Sequence, residues 1–324
     1  MRGAVKYLLP ALLFAVSIGL PAQAQNYPTR PVHVIVPFPP GGFTDLTARL
    51  IGQKLGEALG QQMVIENRSG ASGLLGVETV TKASPDGYTL LITTGDFIET
   101  PSLMPKMAFD PNKDLLPVAM IASAPLLLGA QAGGPIASVM DLIAQAKARP
   151  GQVAFSSPGT GTINHLAVEW LAIEAGLKLI HVPYRGGAPA ATAIAAGDVP
   201  VGAVTISSAQ SLMDAGKIKP IALMTKERPS FALAGWPTLS ELGFPVDAAL
   251  WVGLFVPART PAAIVARLDA EVARLLRDAT VRKRLNELGT EAVAISGPAF
   301  ADRIHTDAAH YARIIEQTGI HVEH

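Results

Sequence analysis

The sequence predicts an α/β protein of two domains with mostly parallel sheets. Strand-like and helix-like runs alternate along it, joined by short connections rich in Gly, Pro and Ser. That alternation is broken by apolar, β-like stretches at Leu116 to Ala130 and at Leu250 to Val256, where a chain would pass into a second sheet and return. With 324 residues, 49% hydrophobic and 16% charged, there is length and apolar content for two cores. The expected division is 1–24 as an export signal, 25–124 with 250–324 as the first domain, and 125–249 as the second.

The N-terminus sets the compartment. Arg2 and Lys6 precede an apolar run from Leu8 to Leu20, and Pro21-Ala22-Gln23-Ala24 supplies an Ala-x-Ala cleavage pattern before the polar Gln25-Asn26. The run is shorter than the roughly 20 apolar residues of a bilayer-spanning helix, so a cleaved signal and a soluble, exported protein are expected. Cysteine is absent, which removes disulfides, thiolate ligands, a thiol nucleophile and the lipid-attachment thiol of an exported lipoprotein. The 26 basic residues lose Arg2 and Lys6 with the signal while the 26 acidic ones are kept, so the mature charge is 24 − 26 = −2. A nucleic-acid partner is not expected of such a chain.

The first unit is organised around Val36-Pro37-Phe38-Pro39-Pro40-Gly41-Gly42-Phe43-Thr44-Asp45. Val32, Val34, Ile35 and Val36 read as a buried strand, and Leu46, Leu50, Ile51, Leu55 and Leu59 recur at helical spacing. Between them the prolines stiffen the entry, Gly41 and Gly42 allow close approach to the backbone, and Thr44 or Asp45 is expected to cap the helix. Unpaired N–H groups at such a helix start attract a carboxylate or phosphate. A strand at Met63 to Ile65, a helix through Val77 and Val80, and a strand from Tyr88 to Thr93 follow. Thr100 to Asp114 reads as a surface connection, and Leu116 to Ala130 as two β-like runs parted by Ser123-Ala124-Pro125.

The second unit opens with Ser138 and Asp141 in a capping-box spacing. Strands are expected at Val153 to Ser156, Leu179 to Val182, Val199 to Val204 and Ile218 to Met224, with helices at Ile163 to Ala175 and Pro189 to Ala196. A short helix is expected within Trp236 to Gly243, and the tail is helical over Pro261 to Asp278 and Pro298 to Gln317.

Five polar loops, each at the carboxyl end of a strand, are the candidate site, because ligands of open α/β sheets bind outside those ends. They are Pro37 to Thr44, Thr94 to Asp96, Ser156 to Thr162, Pro183 to Pro189 and Thr205 to Ser208. The Gly-x-Gly at Gly159 and Gly161 lacks the third glycine of a dinucleotide fingerprint, since Asn164 stands there. Ser157, His165 and Asp96 do not form a recognisable triad, as no Gly-x-Ser-x-Gly elbow occurs. The seven histidines are scattered without His-Glu-x-x-His spacing. No catalytic residue, metal or cofactor is therefore expected, and His165 reads as a loop-bracing or core histidine in preference to a metal ligand. Phe38 and Phe43, beside the Gly pair, are placed to line a pocket.

Taken in order, these motifs resemble the Bug receptors, the periplasmic solute-binding proteins of the tripartite tricarboxylate transporter systems. The resemblance is carried by Val36 to Asp45 with Ala48-Arg49, by Glu66-Asn67-Arg68, by Pro85 to Leu90, by Gly159 to Thr162 with His165-Leu166, by His181 to Ala190, and by Gly253 to Ala258 with Thr260-Pro261. It implies a two-domain Venus-flytrap fold of type II that closes over a small carboxylate, held by backbone groups and water at the first Gly-Gly loop. The ligand-binding residues so expected are Phe38, Pro40, Gly41, Gly42, Phe43, Asp45, Thr94, Asp96, Ser157, Thr160, Gly161, Thr162, His165, Tyr184, Gly186, Gly187 and Val204. A monomer that hands its ligand to membrane transporter subunits is expected, with a ligand-sensing receptor for a signalling partner, or an amino-acid receptor, as the alternatives.

One stretch departs from the family pattern. Where relatives carry Gly-x-Val-Asp-x-x-Phe-Asp, this chain reads Gly197-Asp198-Val199-Pro200-Val201-Gly202-Ala203-Val204, so two acids and an aromatic are replaced. Ala203 and Val204 are expected to leave an apolar, wider wall, favouring a dicarboxylate or an apolar or aromatic carboxylate over an amino acid. Asp96 and Glu99 are the two acids able to turn inward instead; both are expected to face solvent.

Overall fold

The computed structural model describes residues 27–70, 73–98, 109–229 and 235–320. The export signal expected over 1–24, Glu99 and most of the connection after Thr100 lie outside them. Strand β1 (Val32–Val36) is apolar at every position except His33 and sits between two parallel neighbours, β2 (Met63–Asn67) and β3 (Thr89–Thr94). Helices α1 (Phe43–Leu59) and α2 (Leu74–Thr81) make the crossovers. Ala48, Ile51, Leu55 and Leu59 give α1 its buried stripe.

After β3 comes a 3₁₀ turn at Gly95–Phe97, then α3 (Pro111–Asp114) and β4 (Leu115–Gln131). The two runs expected here are one strand of 17 residues. Pro125, the supposed break, falls where β4 changes partner. Up to it β4 pairs with β9 (Ala249–Pro257), and from Leu126 onward with β7 (Val201–Thr205) and β8 (Ile218–Leu223), so the missing N–H interrupts neither ladder.

The second sheet follows the expected alternation. Helix α4 (Val139–Ala148) is capped by Ser138 Oγ, which accepts from Asp141 N at 3.1 Å. Strand β5 (Val153–Ser157), helix α5 (Ile163–Ala175), strand β6 (Leu179–Pro183) and helix α6 (Gly187–Ala196) lead to β7, and β5 pairs in parallel with β6 and β7. Thr205 to Ser208, read as an open loop, instead begins helix α7 (Ile206–Asp214), because Thr205 Oγ1 accepts from Ser208 N and caps it. Trp236 to Gly243 is a run of turns and not a helix: Pro237 O and Leu239 N are both bonded to the backbone of Leu223 at the end of β8.

Beyond β9 lie α8 (Ala262–Leu275), α9 (Ala279–Glu287), β10 (Glu291–Ser296) and α10 (Gly297–Thr318). Asp278 separates α8 from α9 by capping the N–H groups of Thr280 and Val281. The strand order is β2-β1-β3-β9-β4-β7-β5-β6, with β10 and β8 also on β4. Because β4 and β9 are the strands that run between the sheets, we place the domain boundaries on them, as 25–124 with 250–324 against 125–249. Packing departs from that division at the last helix. Phe300 and Ile304 of α10 join the core of Trp251 and Phe255, whereas Tyr311, Ile314 and Ile315 join that of Phe155 and Leu166.

Candidate functional site

The start of α1 is open. Its cap residue is Gly42, in an extended conformation with no side chain to accept from the helix, so the first N–H groups of α1 have no intrahelical partner. Pro40, Gly41 and Gly42 are exposed, and Phe38 and Phe43 are half-buried beside them. Gly41 has φ of 82°, the left-handed turn that aims the chain into the helix.

Asp45 holds this loop from beneath and is not a cap. Its Oδ2 accepts from Gly41 N at 2.8 Å and from Arg49 Nε at 3.0 Å. Its Oδ1 accepts from Asn67 Nδ2 and Arg49 Nη2, both at 2.9 Å. The same Asn67 nitrogen donates to Phe38 O at 3.0 Å. Burial pushes the Asp45 carboxyl up, yet Arg49, the Gly41 N–H and Asn67 more than offset it and hold it below the usual carboxylate range. Expected as a ligand contact, Asp45 is buried with both oxygens engaged, so it positions the loop.

In the second half, Ser157 Oγ lies 2.7 Å from His181 Nε2 and 2.9 Å from Gly159 O. The rings of His181 and His165 stack with centroids 3.6 Å apart and an 11° tilt. Burial first, then the neighbouring His165, lowers His181 to about 3, so its ring is neutral at neutral pH. His165 Nδ1 accepts from Gly161 N at 3.1 Å, and Thr162 Oγ1 caps α5 by accepting from His165 N. These bonds occupy the Gly161 N–H and the Thr162 hydroxyl within the protein. His165 and Ser157, also expected as ligand contacts, are therefore braces of the loop. Tyr184 N and Gly186 N bond to Ser157 O and Pro158 O, which ties the Tyr184 loop to this one. Ser208 of α7 comes so close to Gly187 that an added Cβ would lie 2.4 Å from its hydroxyl. Among the described residues the hydroxyls of Thr160 and Tyr184, both on half-buried residues, make no hydrogen bond.

Two of the expected site residues, Phe43 and Asp96, reach across the halves. Phe43 packs against both the core of the first sheet and that of the second. Asp96, expected to face solvent, turns inward: its Oδ2 accepts from Thr94 Oγ1 at 2.7 Å and its Oδ1 from Ile163 N, the first residue of α5, at 3.2 Å. Burial is the leading influence on this carboxyl and raises it, with the Thr94 and Ile163 hydrogen bonds opposing.

Val204 is a correction of the sequence reading. It is wholly buried with Leu127, Ala190, Ile194 and Leu223, on the face that packs beneath α6, and so forms no cleft wall. Arg49, Asn67 and His181 were not singled out as site residues although they fix the loops. Arg49 follows Asp45 by four residues on one helix, a spacing that signals a pair. Nothing local marks Asn67 or His181, whose partners arrive from distant segments. The open depressions along α9 and between α1 and β2 include none of the expected ligand-binding residues, although Arg49 borders the second. Among the described residues no group of three His, Asp or Glu is placed to hold a metal ion, and no helix is long and apolar enough to cross a membrane.

Two α/β units joined by crossing strands are the architecture of a periplasmic solute-binding protein. Residues 47–320 match the profile of the tripartite tricarboxylate transporter family receptor, TctC, and the chain belongs to that family. Protein BugT of Bordetella pertussis is 32% identical over 305 residues, covering 93% of each chain. The structure of R. palustris Rpa4515 with adipate aligns at a TM-score of 0.84 and 35% identity, over 91% of this chain and 99% of that one. MatC (Rpa3494) from Rhodopseudomonas palustris with bound malate aligns at 0.79 and 31% identity, over 89% of this chain and 100% of that one. The family is one of binding receptors and not an enzyme class.

Proposed function

We propose that this protein, exported by its N-terminal signal, captures a small organic carboxylate as a monomer and delivers it to the membrane subunits of a tripartite tricarboxylate-type transporter. The observation that carries this reading is the uncapped start of α1. Glycine at the cap leaves a helix N-terminus with no oxygen of its own, facing outward through an exposed Gly-Gly turn that Asp45, Arg49 and Asn67 brace. Helix N–H groups and the helix dipole favour a carboxylate there. Phe38 and Phe43 stand beside this anchor in the chain, and the hydroxyls of Thr160 and Tyr184, which make no hydrogen bond among the described residues, would serve as donors from the second half. Adipate and malate, bound by two structural neighbours, are small organic carboxylates and support the class.

Thermal shift against a panel of mono- and dicarboxylates tests this. A ligand held only by the folded state stabilises it by about 2.7 kcal/mol at a hundredfold excess over its dissociation constant. At least one carboxylate is expected to raise the melting temperature in a saturable manner, while the matching alcohol or amide does not. Equal shifts by acid and amide would sink the anchor. Delivery is tested by uptake into cells carrying the transporter's membrane subunits, which should require this receptor.

A further inference from the structure

Two of the helix starts at the candidate loops, those of α1 and α5, are treated oppositely. The start of α1 has no cap, whereas that of α5 is occupied by the protein itself. Thr162 Oγ1 accepts from His165 N, and the Asp96 carboxylate, arriving from β3 of the other half, accepts from Ile163 N at 3.2 Å. A carboxylate at a helix N-terminus is where an anionic ligand group would be expected. Here the chain supplies it.

Asp96 is held there by its neighbours. Gly95 lies against the Trp251 ring, where an added Cβ would be 2.9 Å from Cε2. Phe97 is buried, edge-on to Trp251 and to Phe255 at centroid distances of 6.5 and 5.4 Å. Thr94 Oγ1 donates to the second carboxylate oxygen at 2.7 Å. Glycine without space on one side and an aromatic anchor on the other leave the 3₁₀ turn little freedom to withdraw the acid. Resting on the carboxylate reading above, we propose that Asp96 is a specificity-determining residue that stands in for the second carboxylate of a ligand, so that the cleft selects monocarboxylates over dicarboxylates.

The physical basis is that a ligand anchored by one carboxylate at α1 would direct a second one towards the half of the cleft where Asp96 already lies. Burial already makes this carboxyl costly to ionise, with the Thr94 and Ile163 bonds opposing; a second carboxylate brought beside it out of bulk water adds to that cost, and the Ile163 N–H that Asp96 takes is no longer offered to the ligand. An uncharged far end, apolar or bearing a hydroxyl, meets no such repulsion. A hydroxyl there could donate to Asp96.

Hexanoate and adipate, which share a six-carbon chain and differ only in the second carboxylate, are the probes. Calorimetry on the full mature protein is expected to show hexanoate bound about tenfold or more tighter than adipate, a difference of about 1.4 kcal/mol. In Asp96→Asn, which keeps an acceptor for Ile163 N without the charge, adipate should gain about tenfold while hexanoate changes by less than about threefold. Asp96→Ser, smaller and also neutral, should act the same way and guards against an effect peculiar to the amide. The proposal is overturned if the unaltered protein prefers adipate, or if both variants change the two acids equally. If no mono- or dicarboxylate binds the unaltered protein or either variant, the carboxylate reading itself fails, and the proposal with it; binding without the predicted preference overturns the proposal alone.

Discussion

Asn67 Nδ2 donates to Asp45 Oδ1 at 2.9 Å and to Phe38 O at 3.0 Å, so one amide at the end of β2 ties the first turn of α1 to the loop before it. Asn67→Ala removes both bonds and leaves Phe38 O without that partner. A loss of about 1–2 kcal/mol in stability is expected, with weaker carboxylate binding because the Gly-Gly turn is no longer fixed. Asp45 also gives this variant a pH signature. Its native carboxyl sits below the ordinary aspartate value, so its stabilisation is complete above that value and is lost as pH falls through the native one. Without Asn67 the gap narrows, and less stability should be lost on acidification. Denaturant titrations at neutral and acid pH check both, and an unchanged midpoint would show that the amide holds nothing.

Gly42→Val separates anchor from fold. Gly42 has φ of −80°, which any residue adopts, and an added Cβ would meet only Pro39 O at 3.7 Å. The variant should therefore fold with a melting temperature near that of the parent and lose carboxylate binding by a hundredfold or so, about 2.7 kcal/mol, because the branched side chain covers the N–H groups. Gly41→Val is the contrasting change: with φ of 82° it should destabilise the loop itself. Retained affinity in Gly42→Val would move the anchor away from α1.

Much of this was legible from the residues. The alternation of strands and helices, the open Gly-Gly turn and the Ser138 to Asp141 box all depend on neighbours within a few positions, and all three are present in the fold. What could not be read depends on partners brought from afar. Pro125 looks like a strand break until β9 gives way to β7 and β8 beside it, and Thr205 looks like loop until its hydroxyl finds Ser208 N. Alternation along β7 cannot say which face meets a cleft, so Val204 was misplaced, being buried beneath α6. The inward turn of Asp96 was not legible for the same reason: Ile163 N, to which it bonds, lies 67 residues away.

His181 should give stability an acid-sensitive limb. The unfolded ring takes a proton near 6.5, whereas the folded one resists until about 3, so stability falls as pH drops from 6.5 towards 3. Between pH 7 and pH 5 this group should cost about 1 kcal/mol, discounted for its partial exposure. His181→Gln, which can still bond Ser157, should flatten that slope. A residual slope is expected from His310, which burial also lowers. Identical slopes in parent and variant would mean that His181 accepts a proton in the folded state after all.

Phe43 offers the test of closure. It is anchored in α1 of the first half and packs against the core of the second, across the two strands where we place the hinge. Half-buried, it should contribute about 1–2 kcal/mol through apolar contact, and its contact with the second core exists only while the halves are together. Truncation to Ala should therefore favour the open arrangement of the free protein, since strands that bend can separate the domains without unfolding either. Small-angle scattering is expected to show a larger radius of gyration for Phe43→Ala than for the parent, and a larger compaction when a carboxylate that binds is added. Affinity should fall with it, because closing must then be driven by the ligand alone. Scattering curves that coincide for parent and variant, with and without ligand, would establish that the two halves form one rigid body and that Phe43 is ordinary core.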